Sequence, residues 1–142
     1  MTQEIGLVSC VKSKRDESTV PKDLYTSAYF EKMRSYAEQH HDGWYILSAK
    51  HGLIEPDGDP IEPYERTLAN ASIEEKREWA DNVFNELDER GVLTDGVRLV
   101  IHAGRDYYGE LLPRLEDTDV TVEIPTEGMR IGEKLSWYNE RS

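Results

Sequence analysis

Residues that could do chemistry cluster just after an apolar segment near the N-terminus, in the stretch GLVSCVKSKRDES. Ser9 and Cys10 offer a hydroxyl and a thiol, and Lys12 and Lys14 follow them closely. Lysines beside a strand end can bind phosphate, and a desolvated lysine can act as a nucleophile. Neighbouring cations favour a reactive thiolate, although a free cysteine is often only buried packing. Both interpretations of Cys10 stay open; we predict ligand contacts for Ser9 and Cys10 and catalytic roles for the two lysines.

A second reactive stretch, ILSAKHGLIEP, brings a serine, a lysine and a histidine together before a glycine. We expect Ser48 to end a strand, and Lys50 and His51 to lie on a tight turn beside a ligand. His51 is the candidate general acid or base, because histidine changes its charge near neutral pH. Glu62 and Tyr64 on the following loop are candidate ligand contacts. Tyr64 either stacks on a base or anchors the loop to the core.

Five further residues are candidate ligand contacts, and three of them have a structural alternative. In DLYTSAYF, Tyr25 and Ser27 lie near the start of a predicted helix, where an anion or a base can be held; otherwise Tyr25 is a core residue and Ser27 a first-turn polar residue. In IHAGRDYYGELL, Gly104 permits close approach of a ligand and Tyr107 lines the cleft. Glu127, after the last predicted strand, accepts hydrogen bonds from ribose hydroxyls or a guanine-like edge, or caps a helix.

The elements that must position these residues alternate between strands and helices. Four short apolar segments predict strands buried on both faces: Ile5 to Cys10, Trp44 to Ala49, Val97 to Gly104 and Val120 to Pro125. Helical patterns separate them, beginning with one continuous helix over KDLYTSAYFEKMRSYAEQHH. This alternation predicts an α/β fold, a three-layer Rossmann-like sandwich with a mostly parallel four-stranded sheet flanked by helices. The reactive residues follow the strands, and ligands of open α/β sheets bind at the strands' carboxyl ends. We interpret His102, inside the third strand, as a satisfied core histidine.

Composition narrows the class of protein. The 142 residues are expected to form a single domain over 1–142, and 29 acidic against 17 basic residues give a net charge of −12. Acids spread along the whole chain resemble the surfaces of proteins from salt-loving microbes. The single cysteine excludes a disulfide within the chain. Without a long apolar run or a signal-peptide pattern, we expect a cytoplasmic protein that does not associate with membranes.

Several familiar sites are missing from the sequence. It has no P-loop, no dinucleotide-binding glycine pattern and no nucleophile elbow. No spacing of histidines, cysteines and acids suggests a zinc site, since His40 and His41 are adjacent and lack an acidic partner at a suitable distance. We therefore predict no metal and no cofactor.

The segments SCVKSK, DLYTSAYF, ILSAKHGLIEP, PYERTL and HAGRDYYGELL, taken in order, resemble an uncharacterised prokaryotic domain family. Its recurring features are a Cys-x-Lys-x-Lys strand exit, Leu-Tyr-x-Ser, ILSAKHGL and Tyr-x-x-Thr-Leu. More distantly, the chain resembles the core domain of archaeosine synthase, which has a Rossmann-like fold similar to uracil-DNA glycosylases and acts on a 7-deazaguanine base in tRNA. The motifs of that core domain fall here on Cys10, Lys14, Tyr25 and Ser27, and on Gly52, Leu53 and Pro56. This chain lacks the proline that precedes the cysteine in that family, and it reverses the Lys-Pro order.

The sequence therefore favours an enzyme that processes a nucleoside, nucleotide or nucleobase, where the base can be a modified one or one within a nucleic acid. In this hypothesis Lys12 and Lys14 bind phosphate or act as nucleophile, His51 transfers protons, and Tyr64 and Tyr107 stack. The partner is a nucleotide-like small molecule or nucleic acid. The alternatives are a non-catalytic binding module with the same pocket, or a small interaction protein with a degenerate site. The oligomeric state stays open.

Overall fold

The computed structural model describes residues 3–141, which form an α/β fold around one five-stranded sheet. The strands are β1 (Gln3–Ser9), β2 (Gly43–Ser48), β3 (Gly52–Ile54), β4 (Val97–His102) and β5 (Thr121–Glu123). The helices are α1 (Pro21–Leu24), α2 (Ala28–His40), α3 (Ile73–Glu89), α4 (Arg105–Glu116) and α5 (Ile131–Glu140). None of the helices within residues 3–141 is long and apolar enough to cross a membrane.

The sheet has the order β3-β2-β1-β4-β5, and only the pairing of β2 with β3 is antiparallel. The prediction of four strands was therefore wrong by one. Strand β3 is a three-residue return that follows β2 after a tight turn, and Gly52 opens it with a φ of +74°. Glycine adopts this left-handed conformation without the steric cost that other residues pay. So short a strand carries too few residues to show an alternating pattern in the sequence.

The strand order makes the carboxyl ends of β1 and β4 a point where the chain diverges. From β1 the chain crosses to β2 on one side, and from β4 it crosses to β5 on the other side. Ligands of open α/β sheets bind in the crevice at such a switch point. The first predicted site loop, after β1, and Gly104, after β4, thus lie at the two sides of this crevice.

The single helix predicted after β1 is divided in two, and the division positions Tyr25. Tyr25 has extended backbone dihedrals (φ −86°, ψ 128°) and forms an isolated antiparallel bridge with Lys14. Ser27 then caps α2, because its Oγ accepts a hydrogen bond from the backbone N–H of Phe30 at 3.0 Å. The break was not visible in the sequence, because the residues on both sides of it have a helical pattern. The extended backbone at Tyr25 directs its ring into the core, where the residue is 3% exposed.

A buried histidine pair stabilises the interior between β1, β4, α2 and α5. His102 is fully buried, as predicted, and its Nδ1 lies 2.7 Å from Tyr138 Oη. Its Nε2 lies 2.8 Å from Nε2 of His41, whose Nδ1 is 2.7 Å from the Glu4 carboxylate. The His41 ring occupies the space above Gly6, where a Cβ atom would stand only 2.5 Å from the ring. All four polar groups of the two rings are thus satisfied inside the fold.

Candidate functional site

A chain of three buried hydroxyl groups forms the centre of the candidate site. Ser48, the last residue of β2, accepts hydrogen bonds at its Oγ from the backbone N–H groups of His51 (3.0 Å) and Lys50 (3.3 Å). The same hydroxyl lies 2.7 Å from Tyr64 Oη, which is 2.6 Å from Tyr25 Oη. The chain thereby joins the β2–β3 turn, the long loop after β3 and the segment between α1 and α2.

Lys14 lies directly above this hydroxyl chain. Its Nζ is 4.4 Å from the ring centroid of Tyr64 and 5.7 Å from that of Tyr25, which are cation–π distances. The ammonium donates one hydrogen bond, to the backbone carbonyl of Lys12 at 3.2 Å. Desolvation by its surroundings lowers the pKa of Lys14, and the charges of Cys10 and Glu65 oppose that shift. A partly desolvated ammonium of this kind can hold an anion or, once deprotonated, attack an electrophile.

Cys10 connects the end of β1 to helix α4. Its Sγ lies 3.2 Å from Tyr107 Oη, and the Tyr107 ring packs edge-on against Trp79 at 5.5 Å. The indole N–H of Trp79 in turn donates to the Ser48 carbonyl at 2.8 Å. Cys10 is 8% exposed, so its thiol is enclosed within the cluster.

The three phenols of the cluster remain protonated at neutral pH. Burial raises the pKa values of Tyr25, Tyr64 and Tyr107 well above the usual value for tyrosine, and the nearby charge of Cys10 acts in the same direction. Each phenol therefore offers an O–H group to its surroundings. The site is thus rich in hydrogen-bond donors.

A groove of about 610 Å³ opens beside the cluster, between helix α3 and the loop of residues 63–66. Ala49, Tyr64 and Trp79 form its buried surface. Its rim is charged and polar, and consists of Lys50, Glu65, Arg66, Glu75, Glu78 and Asn82. Arg66 and Glu75 form an ion pair of 3.0 Å across the rim. The volume lies in the range of small-molecule and cofactor sites, about 300–1,000 Å³.

Cations without an acidic partner concentrate at the carboxyl ends of the strands. Of the 17 lysines and arginines, nine lie within 4 Å of a carboxylate in residues 3–141. Among the other eight, Lys32 lies on α2 and donates a hydrogen bond to a side-chain amide. The remaining seven all follow a strand that ends at this edge: Lys12, Lys14, Arg15, Lys50, Arg105, Arg130 and Lys134. In so acidic a chain, this distribution leaves positive charge available to a ligand.

The structure brings six of the predicted ligand or catalytic residues into one cluster: Cys10, Lys14, Tyr25, Ser48, Tyr64 and Tyr107. Lys50 and His51 join it through their backbone N–H groups, and the His51 ring packs edge-on against Tyr64 at 5.4 Å. Burial and the Lys50 ammonium lower the pKa of His51, which leaves the imidazole neutral at pH 7. Of the two interpretations of Tyr64, the geometry matches the loop anchor, because its hydroxyl and its ring are both engaged inside the cluster.

The other predicted residues lie outside the cluster. Ser9 is buried at the end of β1, and Lys12 is exposed on the loop that follows. Ser27 serves as the cap of α2. Glu62 and Glu127 are exposed, on the long loop and after β5 respectively.

Gly104 caps helix α4 at the crevice between β1 and β4, and a Cβ there would lie 4.0 Å from Nζ of Lys134. Lys134 was not predicted, since no sequence signal connects the first turn of α5 to this crevice. Trp79 was not predicted as a site residue either, since nothing in the sequence of α3 indicates the hydrogen bond from its indole to the Ser48 carbonyl. Within residues 3–141, no cluster of three or more His, Cys, Asp or Glu side chains has the geometry of a metal site.

Comparisons with known proteins agree with the resemblance to an uncharacterised domain family. A family model described as a family of unknown function (DUF6884) matches residues 5–140. The uncharacterized protein YfjM of Bacillus subtilis (strain 168) is 33% identical over 86 residues, which are 61% of this chain and 55% of that protein. The chain thus spans about half the length of this curated relative. No solved structure matches the chain. The more distant resemblance to archaeosine synthase stays a prediction.

Proposed function

The chain belongs to the family of unknown function DUF6884, and we propose that it is an enzyme that processes a nucleoside, nucleotide or nucleobase. The observation that carries this proposal is the position of the Cys10–Lys14–Tyr25–Ser48–Tyr64–Tyr107 cluster, between the groove and the carboxyl ends of the parallel strands. A desolvated lysine, a thiol and a neutral histidine are groups that an enzyme uses for catalysis, and here the lysine and the histidine pack against Tyr64, which lines a groove of ligand size.

The groove provides separate surroundings for the parts of a nucleotide. Its buried wall includes Tyr64, whose ring lies 4.4 Å from the Lys14 ammonium, a group that suits an anionic or strongly polar part of a ligand. Its rim has the carboxylates of Glu75 and Glu78, which accept hydrogen bonds from hydroxyl and amino groups. Trp79 provides an aromatic wall for a base.

In the proposed mechanism each group has one role. Lys14, assisted by Lys12, binds the anionic part of the substrate or attacks it as a nucleophile. His51, neutral at pH 7, accepts a proton from the reacting group. The anchored loop and the buried hydroxyl chain hold these groups in fixed positions, so that catalysis depends on positioning and on a desolvated cleft.

The proposal includes two finer statements about the fold. We assign it to the Rossmann-like three-layer sandwiches, a choice supported by the packing of α2 with α5 and of α3 with α4. We also retain the resemblance to the core domain of archaeosine synthase as a guide to substrates, which makes deazaguanine bases and tRNA part of the panel to be tested.

The direct test is a panel of free bases, nucleosides, nucleotides, short DNA and RNA oligonucleotides and tRNA, at low and high salt. Thermal denaturation reports binding, because a ligand that binds only the folded state raises the midpoint of unfolding, and mass spectrometry reports products. We expect one class of compound to stabilise the protein and to be converted. Stabilisation without a product would contradict catalysis and favour a binding module. A panel without stabilisation or product would overturn the proposal and favour an interaction protein.

A further inference from the structure

The groove beside the cluster continues along helix α3 into a second cavity. The second cavity measures about 370 Å³, and the two share Lys50, Trp79 and Asn82 in their walls. Helix α3 lines them from Glu75 to Glu89, a length of about 21 Å at about 1.5 Å per residue. We call the two cavities together the α3 cleft.

Negative charge dominates the walls of the α3 cleft. Five carboxylates and two cations line it: Glu65, Glu75, Glu78, Glu86 and Glu89, and Lys50 and Arg66. Arg66 is already paired with Glu75 at 3.0 Å. Glu78 and Glu89 are exposed and take part in no ion pair within residues 3–141. A ligand in the cleft therefore meets carboxylates that no cation of the protein neutralises.

Most of this negative charge comes from helix α3 itself. The helix contains seven acidic and two basic residues in its sequence IEEKREWADNVFNELDE. Its two basic residues, Lys76 and Arg77, form ion pairs with Asp106 and Glu110 of α4. Neither of the two lines the cleft. Helix α3 therefore presents carboxylates to the cleft and its cations to α4.

Unpaired positive charge reaches the α3 cleft from the strand ends. Lys50 lines both cavities, and the Lys14 ammonium lies 4.4 Å from the ring of Tyr64, which lines the first of them. These two cations can balance one anionic group of a ligand. The carboxylates of α3 instead accept hydrogen bonds from sugar hydroxyls and amino groups. The cleft therefore suits a compound with a single anionic group and several hydrogen-bond donors.

We propose that the α3 cleft binds a free nucleobase, nucleoside or mononucleotide and excludes DNA and RNA chains, because its carboxylates repel the phosphates on either side of a bound nucleotide. This inference rests on the proposed function and narrows its substrate class. Proteins that bind single-stranded nucleic acids follow the phosphates with a positively charged groove. In the α3 cleft each further phosphate would lie beside carboxylates such as Glu78 and Glu89, and like charges brought together suppress binding.

A series of ligands of increasing length tests this selection. The probes are free bases, nucleosides, nucleoside 5′-monophosphates, 5′-phosphorylated single-stranded RNA and DNA of eight identical residues, and unfractionated tRNA. Isothermal titration at about 0.01 M ionic strength measures their affinities, because charges are screened little under this condition. We expect at least one of the small compounds to bind, and the eight-residue chain of the same base to bind at least about tenfold more weakly.

Two double variants of α3 with the same change of charge locate the effect. Glu78→Gln with Glu89→Gln removes two carboxylates from the cleft without breaking an ion pair. Glu74→Gln with Asp88→Asn is the control, because it removes two exposed carboxylates of α3 that do not line the cleft. We expect the cleft variant to bind the eight-residue chain at least about threefold more tightly than the wild type does. The control variant should bind it as the wild type does.

The outcomes separate this inference from the proposed function. If RNA, DNA or tRNA binds more tightly than the small compound, the inference is wrong, while a function on a base within a nucleic acid stands. If the cleft variant gains no affinity for the chain, or gains it equally with the control, the carboxylates of the cleft do not select the ligand and the inference is again wrong. If no base, nucleoside, nucleotide or nucleic acid binds, both the inference and the proposed function are overturned.

Discussion

Between pH 7 and pH 4, the free energy of unfolding is expected to decrease by about 3 kcal/mol because of one buried histidine. Burial, together with charge repulsion from the neighbouring His41, lowers the pKa of His102 from its usual value to about 3. In the unfolded chain the same side chain titrates with its ordinary pKa, near 6.5. Between about pH 6.5 and pH 3, the His102 side chain is protonated in the unfolded state and neutral in the folded state. The free energy of unfolding therefore decreases as the pH falls through this range.

The surroundings of the pair support this direction. Burial also lowers the pKa of His41, although Glu4 favours its charged form. Arg98 lies 3.7 Å from the other oxygen of Glu4 and opposes charging of the pair. On the helical side the pair meets the rings of Tyr36 and Tyr138, which are neutral.

Urea denaturation at pH 7 and at pH 4 measures this effect. His102→Gln, which keeps polar atoms for both hydrogen bonds, should lose markedly less stability over this range than the wild type. His40→Gln is the control, because His40 is an exposed histidine next to the pair. Equal losses in the wild type and His102→Gln would show that the acid sensitivity arises elsewhere, for example from the many carboxylates.

The second large effect is expected at Lys14. Replacement by glutamine keeps the length of the side chain and removes its charge. We expect Lys14→Gln to weaken the binding of a nucleoside monophosphate by about 10- to 100-fold, because a charge-assisted hydrogen bond to phosphate is lost. Stability should be preserved or slightly raised, since a partly desolvated ammonium no longer has to be accommodated. Isothermal titration and thermal denaturation measure the two quantities.

Arg90→Gln is the matched control for Lys14→Gln. It removes the same charge at the end of α3, where the guanidinium lies near Glu55 and Glu86, away from the candidate cluster. A general effect of net charge would weaken phosphate binding equally in both variants. An unchanged affinity in Lys14→Gln would remove Lys14 from the site, and the lowered pKa of this lysine would then be a consequence of packing alone.

Local rules predicted much of the fold correctly. The long strands are apolar runs bounded by small residues, and α3 begins at a Ser72 cap with Glu75 in its first turn, as the sequence indicates. The break between α1 and α2 was missed, because it depends on the pairing of Tyr25 with Lys14, a contact with the preceding loop that helical periodicity cannot show. Strand β3 was missed because its partner β2 lies outside any short sequence window.

In the candidate site, too, residues placed by local sequence patterns were predicted, and residues placed by long-range contacts were not. Strand-end positions were sufficient to select Cys10, Lys14, Ser48 and Tyr107, since the ends of parallel strands meet at one edge of a sheet. The role of Tyr64 as an anchor depends on a hydroxyl contact across 16 residues, and sequence left it open. The contribution of Lys134 depends on how α5 packs near Gly104, a tertiary feature without a local signal.

A crystal structure of the protein with a bound nucleoside 5′-monophosphate would test the central claim most directly. We predict that the phosphate lies within about 3 Å of Lys14 Nζ, with the nucleoside in the groove beside Trp79. A phosphate bound elsewhere, for example in the pocket between α2 and α5 lined by Ser35, Tyr36 and Tyr138, would contradict the account.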